Sequence, residues 1–218
     1  MFTGIIQAVG RIDKIEPKGS DVRVTIYTGE LDLSDVELGD SIAVNGVCLT
    51  AIALQAKAFL ADVSGETLAC TGFAYYGAGT IVNLEKALTL QTRLGGHLVS
   101  GHVDGIGSIA SRSDDGRSVR FAIQAPDALA RYIAAKGSIC VNGISLTVNR
   151  VDGALFELNI VPHTLEKTSL SAVQVGDKVN LEVDLIARYL ERLVLGDQAA
   201  VPQESITLDF LRNHGFLK

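Results

Sequence analysis

The sequence is short of most features that identify a protein class at sight. Its 218 residues include 3 cysteines, Cys48, Cys70 and Cys140, which are far apart and cannot pair evenly. None lies in a CxxC or CxxxH pattern, so neither a disulfide framework nor a zinc ligand set is indicated, and a reducing, cytoplasmic setting fits. Aromatic residues make up only 6% of the chain, no block of lysine or arginine occurs, and the net charge is -6. That balance argues against a phosphate-binding surface or base-stacking platform, so no nucleic-acid partner is expected. No run approaches the roughly 18 apolar residues needed to cross a bilayer, and MFTGIIQAVG at the start has no basic leader, so no membrane partner is expected either. GxSxG, P-loop, strand-borne GxGxxG and HExxH patterns are missing, which weakens hydrolase, nucleotide-binding and zincin readings.

What the chain does have is itself twice. GDSIAVNGVCLT at 39–50 returns as KGSICVNGISLT at 136–147, and Ser41/Ser138, Asn45/Asn142 and Thr50/Thr147 are each 97 positions apart. The same offset lays FTGIIQAVGRI over VSGHVDGIGSI, VSGETL over IVPHTL, and GTIVNLE over GDKVNLE, without a gap. Four blocks in one order at one spacing imply a duplicated domain, and two copies are too few for a solenoid. The expected organisation is a barrel domain over 1–97 and another over 98–184, with ALTLQTRLGG as the connector, then a helix over 185–196 and a tail over 197–218.

Within each copy, short Val- and Ile-rich runs such as VRVTIY, FLADVS and IVNLEKA are separated by turn residues, which is the pattern of strands. Asn-Gly at 45–46 and 142–143 predicts a tight turn or bulge. Closure into a small barrel removes exposed edges, so the fold class is all-β: two repeated six-stranded Greek-key barrels followed by a C-terminal α-helix. In DLIARYLERLVLG, Leu185, Ile186, Tyr189, Leu190, Leu193 and Val194 form a helical stripe that ends at Gly196. It packs either on its own barrel or against another subunit. SITLDFLRNHGFLK predicts a further short helix, with Ser205 or Thr207 as cap and Gly215 as terminator.

Candidate chemistry lies in polar residues at equivalent positions: Ser41 and Ser138, Cys48 and Ser145, Thr50 and Thr147, Glu66 and His163, Thr67 and Thr164. Singly, each has an ordinary structural explanation, such as strand propensity for Thr, core packing for Cys, or edge structure for ETL and HTL. Together, their hydroxyls recur across a Gly-containing bend that can aim them at one ligand. His97 and His102, in GGHLVSGHVDG at the junction, can move protons near neutrality. Two histidines without a third donor do not make a metal site, so no metal is expected.

MFTGI, NGVCLT, GGHLVSGHVDG and NGISLTV, in this order and within a duplication, closely resemble riboflavin synthase of the bacterial alpha-chain type, over about residues 1–196. The resemblance implies a homotrimer held by C-terminal helices, with each active site between the N-terminal barrel of one subunit and the C-terminal barrel of its neighbour. It implies dismutation of two 6,7-dimethyl-8-ribityllumazine molecules by four-carbon transfer, giving riboflavin and 5-amino-6-ribitylamino-uracil, with no cofactor. An association with lumazine synthase is a further implied partnership. A reaction that joins two copies of one molecule is served by two related pockets, one substrate per copy of the repeat.

Carried onto this sequence, the first pocket comprises Gly4, Ile5 and Ile6, then Cys48, Leu49 and Thr50, then Asp62, Val63, Ser64, Gly65, Glu66 and Thr67. The second comprises Gly101, His102 and Val103, then Lys136, then Ser145, Leu146 and Thr147, then Asn159, Ile160, Val161, Pro162, His163 and Thr164. His102 is assigned proton transfer, Cys48 a nucleophilic or ring-contact role, and Ser41, Thr67 and Asp184 supporting roles. The alternative is a non-catalytic lumazine- or flavin-binding carrier of the same fold. A flavin reductase barrel is more remote, since no nicotinamide-binding domain follows.

Overall fold

A computed structural model describes residues 1–200; the helix predicted around Ser205 to Gly215 lies outside the described residues. Residues 1–185 form one compact unit, and the described residues from Ile186 to Ala200 fall outside it and are treated separately below.

The first copy contains β1 (Ala8–Lys18), β2 (Asp21–Tyr27), β3 (Ser41–Val44), β4 (Val47–Thr50), β5 (Ala53–Gln55), β6 (Ala58–Val63), the short helix α1 (Gly65–Cys70) and β7 (Ile81–Lys86). The second contains β8 (Gly105–Asp115), β9 (Ser118–Gln124), β10 (Ser138–Val141), β11 (Ile144–Asp152), β12 (Leu155–Ile160), α2 (Pro162–Lys167) and β13 (Lys178–Val183). Strands of the second copy close in the order β10-β11-β12-β9-β8-β13, while those of the first follow β4-β3-β7-β1-β2-β6-β5. The two orders are the same Greek key. The first has seven segments because its fourth strand is broken between Thr50 and Ala53, at the position where β11 carries a bulge between Val148 and Arg150. β1 and β8 also bulge at equivalent places, Ile12/Lys14 and Ile109/Ser111, so the duplication extends to the irregularities that bend the sheets.

Each barrel buries its own alternating face. Ile12, Ile26, Phe59 and Leu84 fill the first, and Ile109, Phe121, Phe156 and Leu158 the second. Both Asn-Gly pairs are two-residue turns at positive φ: Asn45 at 46° and Gly46 at 79°, Asn142 at 47° and Gly143 at 82°. These values match the turn whose twist suits an antiparallel hairpin. The turns also meet across the barrels, since a Cβ on Gly46 would fall 2.7 Å from Gly143 N. Side chains from the repeated VNLE block tie the copies together. Asn83 Nδ2 donates to Asn142 O (2.9 Å) and Asn180 Nδ2 to Asn45 O (2.8 Å).

ETL and HTL are not strand edge. Both fall in short helices, α1 capped by Ser64 and α2 opened by Pro162. After the barrels, α3 (Leu185–Val194) is strongly amphipathic and is followed by a 3-10 turn over Gly196–Ala200, with Gly196 at φ 52°.

Candidate functional site

Each copy begins with a leader, residues 2–6 or 99–103, that precedes its first strand. The two leaders pair with each other, Phe2 bridging Val99 through both backbone hydrogen bonds. Beyond that bridge each crosses to the opposite barrel. Ser145 N donates to Gly4 O (2.8 Å), and Cys48 N donates to Gly101 O (2.9 Å). Ile6 packs against the core of the second barrel and Val103 against that of the first. These contacts run across the two pockets that the resemblance implied. Gly4, Ile5 and Ile6 belong with Ser145, Leu146 and Thr147, while Gly101, His102 and Val103 belong with Cys48, Leu49 and Thr50. Sequence order could not reveal the exchange, because either leader has the same spacing to its own copy.

Glycine is required where the leaders cross. Gly4 and Gly101 have φ of 75° and 82°, and a Cβ on either would sit 2.6 Å from the Cβ of Ser145 or Cys48. The leaders are anchored behind by a carboxylate in each copy that sequence reasoning missed. Glu85 takes Thr3 N, Thr3 Oγ1 and Gly4 N at 2.7, 2.6 and 2.9 Å. Glu182 takes Ser100 N, Ser100 Oγ and Gly101 N at 2.6, 2.7 and 3.0 Å. Their signal was the acidic residue that closes VNLE in both copies.

On the first barrel, Cys48 is half-buried, Thr50 is exposed and pairs with Ser41 across the hairpin, and the Leu49 side chain is in the core, leaving its backbone for any ligand. Asp62 is exposed and held by Arg23 at 2.7 and 3.0 Å, which keeps its carboxyl below the usual range. Val63 is buried, Ser64 caps α1 by accepting from Thr67 N, and Gly65, Glu66 and Thr67 form its first turn. Cys70 donates to Glu66 Oε1, and this bond pushes its thiol up. His102 is exposed.

On the second barrel, Lys136 adopts φ 68° and its N–H donates to Val148 O, beside Thr147. The start of α2 follows β12 directly: Asn159 donates its N–H to Asn149 Oδ1, Ile160 is core, Val161 precedes Pro162 as cap, and His163 is exposed. A cavity of about 690 Å³ is lined by Ile6 and Val9 from one copy and His163 and Lys167 from the other, which joins the first leader to α2. Ser41 lines a smaller cavity of about 290 Å³ with Lys86, Thr89 and Thr92.

The halves differ chemically. Ser145 Oγ is 2.7 Å from His97 Nδ1, whereas Cys48 has no such imidazole partner among the described residues. His97 is buried, its backbone N–H donates to Thr3 O, and its Nε2 has no partner among the described residues. Burial pushes the imidazole below its ordinary value, against the opposing field of Asp184. Asp184 follows β13 in the second copy, and Thr67 lies in α1 of the first copy, which also carries Cys48.

Comparison with known proteins agrees with this architecture. The lumazine binding domain family matches residues 3–87 and again 100–184. Riboflavin synthase of Photobacterium phosphoreum is 50% identical over 217 residues, covering 100% of both chains. That of Bacillus subtilis is 38% identical over 216 residues, covering 99% of this chain and 100% of its own. Among solved structures, LumP complexed with riboflavin superposes with a TM-score of 0.78 at 26% identity, covering 84% of this chain and 99% of LumP. LumP complexed with 6,7-dimethyl-8-(1'-D-ribityl) lumazine gives 0.76 at 25% identity, with the same coverage. With two lumazine-binding domains and relatives alike from end to end, the chain belongs to the riboflavin synthase family.

Proposed function

We infer that the protein is a riboflavin-forming enzyme that dismutates two molecules of 6,7-dimethyl-8-ribityllumazine. One gives a four-carbon unit to the other, yielding riboflavin and 5-amino-6-ribitylamino-uracil. The observation that carries this reading is identity of 38–50% to riboflavin synthases along the whole chain. The reaction needs a proton removed from an acidic ring methyl, attack on the second molecule, and alignment of two like rings. Two like half-sites, each built from a barrel rim and the exchanged leader, suit that alignment, and a reactive substrate gains much of its rate from it.

In this reading one half-site comprises Gly101, His102, Val103, Cys48, Leu49, Thr50 and residues 62–67, and the other Gly4, Ile5, Ile6, Lys136, Ser145, Leu146, Thr147 and residues 159–164. His102 moves the proton and Cys48 meets the ring, with Ser41 and Thr67 in support on that side. Asp184 acts with His97 and Ser145 on the other. The active site forms between subunits of a trimer held by α3, whose Tyr189, Leu190, Leu193 and Val194 are 64%, 56%, 74% and 85% exposed. Exposed apolar stripes of this kind call for a partner surface. Lumazine synthase as a second partner and a cytoplasmic location complete the reading, to be tested by co-sedimentation and by cell fractionation.

The decisive experiment incubates the purified, cofactor-free protein with the lumazine and follows riboflavin. Formation above the uncatalysed rate is expected. A carrier would bind the lumazine tightly and release no riboflavin, and LumP, which shares the fold, makes that the alternative outcome.

A further inference from the structure

Glu85 and Glu182 are 3% and 4% exposed, deep between the barrels. Each carboxylate meets three neutral donors, two backbone N–H groups and one hydroxyl. Each hydroxyl donates to its carboxylate and also accepts an N–H further along its leader. Ile5 N donates to Thr3 Oγ1 (3.1 Å) and His102 N to Ser100 Oγ (3.3 Å). Burial raises both carboxyls above their ordinary value, and the donors from the leaders work against that rise. Burying an ion is a poor route to stability, since an apolar pair of similar volume does as well or better. What three donors on one carboxylate do provide is a fixed conformation, as bonds to charged acceptors are short and directional.

That conformation is the one the candidate site needs. Glu182 fixes Ser100 and Gly101, Gly101 O receives Cys48 N from the first barrel, and the Ser100 hydroxyl fixes the amide of His102. A continuous path of hydrogen bonds therefore runs from a buried carboxylate on β13 to the backbone of the residue assigned to proton transfer, and to the strand that carries Cys48. Glu85 builds the same path to Ile5 and to Ser145. We propose that Glu182 and Glu85 are positioning residues for the reaction, each clamping the leader of its own copy so that it completes the half-site on the opposite barrel. Glu182 sets His102 and Cys48, and Glu85 sets Ile5 and Ser145. The proposal rests on the site reading above, but neither residue belongs to that site.

The test is a double-mutant cycle in the full-length protein with Glu182→Gln and His102→Gln, taking kcat, KM and the dissociation constant for riboflavin. Gln keeps the shape but turns an NH₂ group toward an N–H donor, which opens one arm of the clamp. Glu182→Gln is expected to lower kcat about 10- to 100-fold, the scale of a small misplacement of a reacting group, with affinity changed much less. The double variant should be about as slow as the slower single one, because both changes disable the same group. Glu85→Gln carries an equal burial defect on the other leader, so its loss should multiply with that of His102→Gln. If Glu182→Gln fails to fold, Ser100→Ala removes the hydroxyl that joins Glu182 to His102, leaves the two backbone donors in place and should show the same coupling. Losses that multiply for Glu182 as they do for Glu85 overturn the proposal and leave both carboxylates as structural. A wild-type rate for His102→Gln alone overturns the site reading, and this proposal with it.

Discussion

His97 and Ser145 are joined by a 2.7 Å hydrogen bond between Nδ1 and Oγ across 48 residues of sequence, at the point where the first leader meets the second barrel. Ser145→Ala is expected to slow riboflavin formation about 10- to 100-fold while riboflavin binding, followed by fluorescence, is largely kept. Because burial lowers the His97 pKa in the folded protein, the unfolded chain takes up the proton more readily. The stability His97 lends is therefore complete above the unfolded value of 6.5 and is lost as pH falls through 6.5 toward the folded value. Melting curves from about pH 7 to about pH 5 should show a shallower decline for His97→Gln than for the wild type. An unchanged slope would mean that the imidazole is not held neutral.

Gly101 has no room for a side chain. A Cβ there would lie 2.6 Å from Cys48 Cβ and 2.9 Å from a ring carbon of Phe2, at φ 82°. Gly101→Ala should cost about 2 kcal/mol or more in urea unfolding, combining left-handed strain with the clash. Gly116, at φ 63° with nothing within 4 Å, provides the control, and its alanine variant should lose only about 1 kcal/mol.

The exchange of leaders sets what an isolated half can do. A fragment of residues 1–97 keeps the first barrel's core but lacks Gly101, the acceptor for Cys48 N. Two such fragments can supply one another with Gly4 in that role, so the fragment should be dimeric and bind riboflavin only as the dimer. Sedimentation across a dilution series, read alongside riboflavin fluorescence, checks both. A monomer that binds as tightly as the dimer would contradict the exchange.

Truncation after Asp184 removes the stripe of Ile186, Tyr189, Leu190, Leu193 and Val194. Light scattering should then report a folded species of lower order, with circular dichroism of the barrels intact and activity lost. A truncated chain that stays trimeric and active would exclude a role for α3 in assembly.

The sequence by itself determined the duplication, the strand-rich barrels, the two Asn-Gly turns and the amphipathic helix. These follow from local periodicity and from a constant 97-residue offset, both written linearly in the chain. Hydroxyls at equivalent places, Ser41/Ser138, Thr50/Thr147 and Thr67/Thr164, are legible in the same way, while the remaining segments of the candidate site came from the family resemblance. Only the tertiary structure decided how the segments combine. Each leader is covalently part of one copy but hydrogen-bonds to the other, and a repeat with identical spacing gives own-copy and cross-copy pairing the same one-dimensional signature. Glu85 and Glu182 were hidden for a related reason: they look like exposed acids ending a strand until the fold brings three donors to each from more than 80 residues away. Ser145 and Cys48, equivalent by position, became different because His97 folds onto one and not the other. Periodicity is a property of neighbours along the chain, whereas a buried carboxylate, a crossed leader and an imidazole on a serine exist only once distant segments share a core.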